Sequence, residues 1–228
     1  GVSGQGAADV LLRMGAFDPR VTLAGGQIPA GTTPVVVSAI DPDAGWRRTF
    51  GTGSYTFLGS LAGVPGTLKN AFTGSANTFT FTRTTEGSVV PVADGTPFII
   101  DPSIPRRDER AIVWTGRNNV TDGSMLTVDD LVRISPQALS AQARDVLVLG
   151  ILNGTNEPRG SAAYERIKAS TARRAARWGA NFLDIQAGFI ERGMHIAGLI
   201  PTTEDLANIA NDCPPPSLMA DNIHPNTD

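Results

Sequence analysis

The feature that most limits how this chain can fold is a change of strand pattern near Arg106. From about Val21 to Pro105 the texture is Thr, Gly, Val and Phe. Val35-Val36-Val37, Tyr55-Thr56-Phe57 and the alternating Thr78-Phe79-Thr80-Phe81-Thr82 are set apart by Gly and Pro turns. Period-two alternation between turn signals predicts antiparallel strands. Beyond Arg106, Ala111-Ile112-Val113-Trp114 and Val146-Leu147-Val148-Leu149 are unbroken apolar runs, as expected of strands covered on both faces in a parallel sheet.

Helical signals lie between and around those runs. Val10, Leu11 and Met14 recur at helical spacing between Ala7 and Ala16, after a glycine-rich entry. Val128 to Leu139 reads as partly helical, interrupted at Ser135-Pro136. Ser161 is placed to cap a helix reaching about Trp178, with Tyr164, Ile167, Thr171, Ala175 and Trp178 as its inward stripe. Asn181 to Ile185 reads as a further strand, and Thr202 with Asp205 as a capping pair opening a helix through Ala210. The expectation is an α/β core, a parallel sheet with flanking helices, carrying a β-rich insertion.

Composition bounds function from the outside. Hydrophobic residues make up 41% and charged ones 18% of the 228 residues, which excludes a disordered chain. A net charge of -3 gives no electrostatic reason to bind nucleic acid or an anionic membrane. Arg106-Arg107 and Arg173-Arg174 read as solvated patches. No apolar run reaches the roughly 18 residues of a membrane span, and the opening Gly1-Val2-Ser3-Gly4-Gln5-Gly6 reads as neither signal peptide nor anchor. With 1 Cys there is no disulfide framework within the chain, and Cys213 reads as a buried thiol.

Chemistry gathers near the C-terminus, where Asp221-Asn222-Ile223-His224 sets a carboxylate three residues before an imidazole. In a serine hydrolase the imidazole takes the nucleophile's proton while the carboxylate fixes its tautomer. The plainer reading is a surface turn in which Asp221 caps backbone amides. Of the 2 His, the other, His195, has no carboxylate at a comparable spacing. Pro225 restrains His224 to extended backbone, and Pro214, Pro215 and Pro216 stiffen the approach.

Ligands collect beyond the carboxyl ends of parallel strands. Trp114 runs into Thr115-Gly116-Arg117-Asn118-Asn119, and Leu149 into Gly150 through Asn156, so both loops are expected to border one crevice. Asn118 fits an amide donor to an oxyanion and equally an Asn in a tight turn. Asn153 and Asn156 fit crevice-lining, substrate-binding residues and equally turn formers. Trp46, Phe50, Tyr55 and Phe57 fit a sugar-stacking face or a core. Asp184, at a strand end, reads as structural.

Together these pieces resemble the SGNH (GDSL-like) hydrolases, in particular variants with a β-rich insertion found in phage tail-associated and secreted carbohydrate esterases. Gly4, within Val2-Ser3-Gly4-Gln5, resembles the family's glycine block, Gly116-Arg117-Asn118-Asn119 its Gly-x-Asn block, and Asp221-Asn222-Ile223-His224 its closing Asp-x-x-His block. The resemblance implies an SGNH-like, flavodoxin-like parallel sheet over residues 1–20 and 106–228, with residues 21–105 inserted. It further implies Gly4 N–H and the Asn118 amide as oxyanion donors, Gly116 as a structural glycine, and Asp221 and His224 as acid and base.

The implied activity is removal of small O-acyl groups, commonly acetyl, from a polysaccharide or glycan, with no metal or other cofactor. The implied setting is extracellular or virion-associated, with other segments of a longer polypeptide or virion proteins as further partners. No Gly-Asp-Ser nucleophile block occurs in the sequence, and Ser3, immediately before Gly4, is a poor substitute. The family's first strand and closing helix are likewise unmatched. The serine is therefore expected upstream of these residues. The alternatives are a catalytically inactive glycan-binding or structural module of a virion or cell-surface assembly, and an unrelated α/β binding domain.

Overall fold

The computed structural model describes residues 4–46, 53–101, 110–121, 123–139 and 146–226. Ser3, Phe50 and Arg106-Arg107 lie outside them. The alternating segments form six long or medium strands. β4 (Gly53–Leu61) and β5 (Val64–Phe72) make a hairpin in register from Gly53 opposite Phe72 to Leu61 opposite Val64. Its two turn residues, Ala62 and Gly63, both have positive φ, 50° and 76°, as the primed turns that suit strand twist demand.

β6 (Asn77–Arg83) adds to β5, β3 (Val35–Asp41) to β6, and β1 (Arg20–Leu23) to β3. β8 (Thr96–Ile100) pairs with both β1 and β4 and closes the sheet into a barrel of order β1-β3-β6-β5-β4-β8, every pairing antiparallel. A separate ribbon joins β2 (Gln27–Ile28) to β7 (Val90–Pro91). Period two sends Leu68, Phe57, Phe81, Phe98 and Leu61 inward, where all are buried. Gly66 has to be glycine, because a Cβ there would stand 2.5 Å from both the Phe81 ring and the Thr82 carbonyl oxygen.

This barrel overturns the expected fold class. The principal sheet is not a flavodoxin-like parallel sheet of the SGNH kind but a closed six-stranded antiparallel barrel within a mostly β core. The two apolar runs do pair in parallel. Among the described residues they yield a three-stranded sheet of order β11-β10-β9, made of β9 (Ala111–Val113), β10 (Val146–Leu149) and β11 (Phe182–Leu183). Short strands with few neighbours build a small sheet, whereas the longer alternating strands bury enough aromatic surface to close on themselves. One face of the small sheet even keeps Ile112, Trp114 and Leu183 exposed, which unbroken apolar runs do not foretell.

The helix α1 (Ala7–Arg13) joins the two halves. Leu11 and Leu12 are fully buried in one apolar cluster with barrel residues such as Phe81 and with Val113, Val146 and Val148 of the parallel sheet. Asp9 on the same helix is also fully buried. It accepts hydrogen bonds from Gly6 N–H, at 3.1 Å, and from Asn70 Nδ2 of the barrel wall, at 2.8 Å.

Two longer helices pack beside the small sheet. α2 (Met125–Leu139) runs on through Ser135-Pro136, and α3 (Ala162–Trp178) is capped by Ser161, whose hydroxyl accepts from Tyr164 N–H. The buried stripe of α3 is Tyr164, Ile167, Ser170, Thr171 and Arg174, so Ser170 and Arg174 join the expected residues, while Trp178 packs half-buried against the core. Arg174 bonds Asp129 of α2 at 2.9 Å and the Thr115 and Leu149 carbonyls at 3.2 and 3.1 Å. Burial pulls the Arg174 pKa down and Asp129 pushes back.

Beyond β11, Asp184 caps α4 (Ile185–Gly188), which continues through a π turn at Phe189–Gly193 into α5 (Met194–Ile196). α6 (Thr203–Ala210) opens with the Thr202–Asp205 capping box. Among the described residues no helix is long and apolar enough to cross a membrane.

Candidate active site

The Asp221–His224 turn is closed by local bonds. Ala220 N–H donates to His224 O at 2.8 Å, Met219 and Pro225 form an antiparallel bridge, and Asn226 N–H donates to Leu218 O at 2.9 Å. Inside it, Asp221 does both things its spacing allows. Oδ1 caps the turn, accepting from Ile223 N–H at 2.7 Å and His224 N–H at 2.8 Å, while Oδ2 meets His224 Nδ1 at 2.8 Å. The imidazole, first, and then the two amides hold the Asp221 carboxyl at about 2, from an ordinary 3.8. An ionised carboxylate only accepts, so Nδ1 is the donor in this contact, and a neutral imidazole held this way has its lone pair on Nε2. The side chains of His224 and Asp221 are 69% and 54% exposed.

Beside the turn lies a cavity of about 380 Å³. Three stretches far apart in sequence wall it: Arg117, Asn118 and Thr121; Asn156 and Glu157; and Asp221, Asn222 and Ile223. Arg117–Asn119 is a 3-10 turn opened by Gly116, whose φ of 105° is left-handed. A Cβ on Gly116 would also meet Arg174 Nη2 and Val128 Cγ1 at 3.0 Å and Ile151 Cδ1 at 3.1 Å, so this position admits only glycine. The Asn118 amide donates to Gln5 O at 2.8 Å, and Asn119 Oδ1 accepts from Ala7 N–H at 2.8 Å. These bonds bring the turn against the N-terminal segment, where Gly4 has φ 72°.

Of the residues singled out in the sequence, Asn118, Asn156 and Asp221 thus share one cavity, with His224 on the same turn and Gly4 next to the residue that Asn118 bonds. Asn153 does not line it. That side chain is fully buried, its Nδ2 donating to the Glu157 and Asp212 carbonyls at 2.9 Å and its Oδ1 accepting from Gln186 Nε2 at 3.0 Å. Trp46, Phe57 and Tyr55 form no stacking face. Trp46 is fully buried, edge-on to Phe79 at 5.0 Å with Nε1 donating to Pro42 O, Phe57 lies in the barrel core, and Tyr55 packs against it.

Sequence reasoning missed the Arg117–Glu157 ion pair, at 2.9 Å, and Asn222, all in the cavity wall. Arg117 and Asn222 stood inside the recognised blocks, but nothing local marked Glu157 as a partner 40 residues away. Cys213 is buried beside Asn153, and desolvation pushes its thiol pKa up, as suits a structural thiol. Among the described side chains lining the cavity, Thr121 carries the only hydroxyl. Among the described residues no group of three His, Cys, Asp or Glu side chains is placed to hold a metal ion.

No protein-family model, curated protein or solved structure matches the chain.

Proposed function

We propose that this chain carries the acid and base of a serine esterase that removes small O-acyl groups, acetyl foremost, from a polysaccharide or glycan. The nucleophilic serine is supplied from sequence upstream of residue 1. The observation that carries this reading is the 2.8 Å contact of His224 Nδ1 with an Asp221 carboxylate that stays ionised down to about pH 2. It rests on the site and not on the fold, since this pairing of carboxylate and imidazole recurs on unrelated architectures.

In the proposed reaction His224 Nε2 takes the serine proton as the serine oxygen adds to the ester carbonyl carbon. The Gly4 N–H and the Asn118 amide donate to the resulting oxyanion, each worth roughly 3 kcal/mol of transition-state stabilisation. Collapse breaks the bond to the sugar oxygen, which receives the proton from Nε2. A water molecule, deprotonated by Nε2, then adds to the acyl-serine, releasing the carboxylic acid and returning the serine.

A second reading is a glycan-binding or structural module, favoured by the absence of any serine among the described residues lining the cavity. The test is reaction of the polypeptide, with its natural upstream sequence, with a fluorophosphonate probe, alongside release of acetate from an O-acetylated glycan. A labelled upstream serine and acetate release, both lost in His224→Ala, are expected. No label and no acetate, with retained glycan binding, would establish the module instead.

A further inference from the structure

The local bonds of the Asp221–His224 turn fix its shape but not its distance from Asn118 across the cavity. The turn meets the loop after β10 through Asn222. Thr155 N–H donates to Asn222 O at 2.9 Å, and Thr155 Oγ1 to Asn222 Oδ1 at 2.8 Å. Gly154 packs so tightly here that a Cβ would fall 2.8 Å from the same Asn222 carbonyl oxygen.

Gly154 and Thr155 are held in turn by Glu157. Its Oε2 accepts from Gly154 N–H at 2.7 Å, its N–H donates to Gly154 O at 3.1 Å, and its Oε1 accepts from Arg117 Nη2 at 2.9 Å. Arg117 belongs to the same 3-10 turn as Asn118. Its Nε and Nη1 are buried without a partner, so among the described residues Glu157 is the one hydrogen-bond partner of this guanidinium. The two oxygens of one carboxylate therefore join the wall bearing Asn118 to the loop that grips the Asp221–His224 turn.

We infer that Glu157 is a positioning residue, whose carboxylate sets the spacing between Asn118 and the Asp221–His224 pair. Its catalytic meaning rests on the esterase reading above, whereas its effect on the turn does not. A carboxylate serves both donors at once, since each of its oxygens accepts. In Glu157→Gln one oxygen becomes an amide nitrogen, which cannot accept from either Arg117 or Gly154.

The experiment reads the ¹⁵N signals of the His224 ring, with His195 as internal control, in the unmodified protein, in Glu157→Gln and in Thr155→Val. The unmodified ring is expected to show the tautomer protonated at Nδ1. Both variants are expected to move the His224 signals toward tautomer averaging and to leave His195 unchanged. Combined, they are expected to shift His224 no further than Glu157→Gln alone, because they interrupt one chain of contacts. On an activated acetyl ester, Glu157→Gln is expected to lower kcat roughly tenfold to a hundredfold with KM unchanged.

His224 signals that stay put in both variants, or effects that simply add, would overturn the inference. If Glu157→Gln does not fold, Thr155→Val alone decides by the same signals. An unlabelled protein without acetyl esterase activity would sink the esterase reading while leaving the ring signals to judge Glu157. Activity with undisturbed ring signals would sink Glu157 alone.

Discussion

The barrel and the half that holds the cavity are stabilised by different physics. In the barrel, closure pairs the strand edges, and the interior is filled by aromatic and aliphatic side chains such as Phe57, Phe81, Phe98 and Leu68. That contribution is non-directional and grows with apolar area. In the other half the buried side chains include Asn119, Asn153, Ser170, Arg174 and Gln186, each committed to named partners. Such networks specify one arrangement, but every member is needed. The comparison teaches where a single atom matters: the barrel is sensitive to volume, the cavity half to hydrogen-bond partners.

Four variants separate these behaviours. Phe98→Ala, in the barrel, should cost about 3–5 kcal/mol in denaturant unfolding, because a fully buried ring leaves a cavity. Phe98→Leu should recover much of that loss, which would confirm volume as the determinant. Asp129→Ala should cost about 3 kcal/mol by leaving the Arg174 guanidinium buried without its carboxylate. Asp129→Leu combined with Arg174→Met should recover part of that loss but not all, since the Thr115 and Leu149 carbonyls and the Ser170 hydroxyl also lose their partner. A double variant as damaged as Asp129→Ala would show that geometry and not charge was lost.

A smaller effect is expected from acid. Burial raises the Asp205 pKa, but the amides and hydroxyls of Ser217 and Thr202 outweigh it and hold the carboxyl at about 2, against 3.8 when unfolded. A folded pKa below the unfolded one means that this stabilisation is complete above about pH 4 and drains away as pH falls through about 2. The amount is on the order of 1–2 kcal/mol. Asp205→Asn should flatten the stability profile between pH 4 and 2 by that amount, measured as the urea midpoint at each pH. The smallest effect belongs to Asp221→Ala. With both side chains of the pair more than half exposed, the unfolding midpoint should not move, while the proposed esterase activity should fall roughly 10⁴-fold.

How much could be read in advance follows how local each feature is. The Thr202–Asp205 box, the Ser161 cap and the Asp221–His224 pair were legible because both partners lie within one turn of chain. The strand segments around Val35-Val36-Val37, Tyr55-Thr56-Phe57 and Thr78-Phe79-Thr80-Phe81-Thr82 were legible, but β1, β5 and β8 were not marked, nor was the closing of β1 onto β8. It joins residues about 75 positions apart, and closure depends on tilt and register that no single strand encodes. Asn153 looked like a crevice residue because it follows a strand. Its burial comes from Gln186 and Asp212, far along the chain.

The sequence by itself determined which segments alternate, where helices begin and that one carboxylate stands beside one imidazole, since steric and hydrogen-bonding preferences act over a few residues. Tertiary structure alone decided that the alternating segments close into the principal sheet, and that Asn118, Glu157 and Asp221 wall one cavity. Those outcomes depend on which surfaces exclude water together, and burial is a property of the assembled chain.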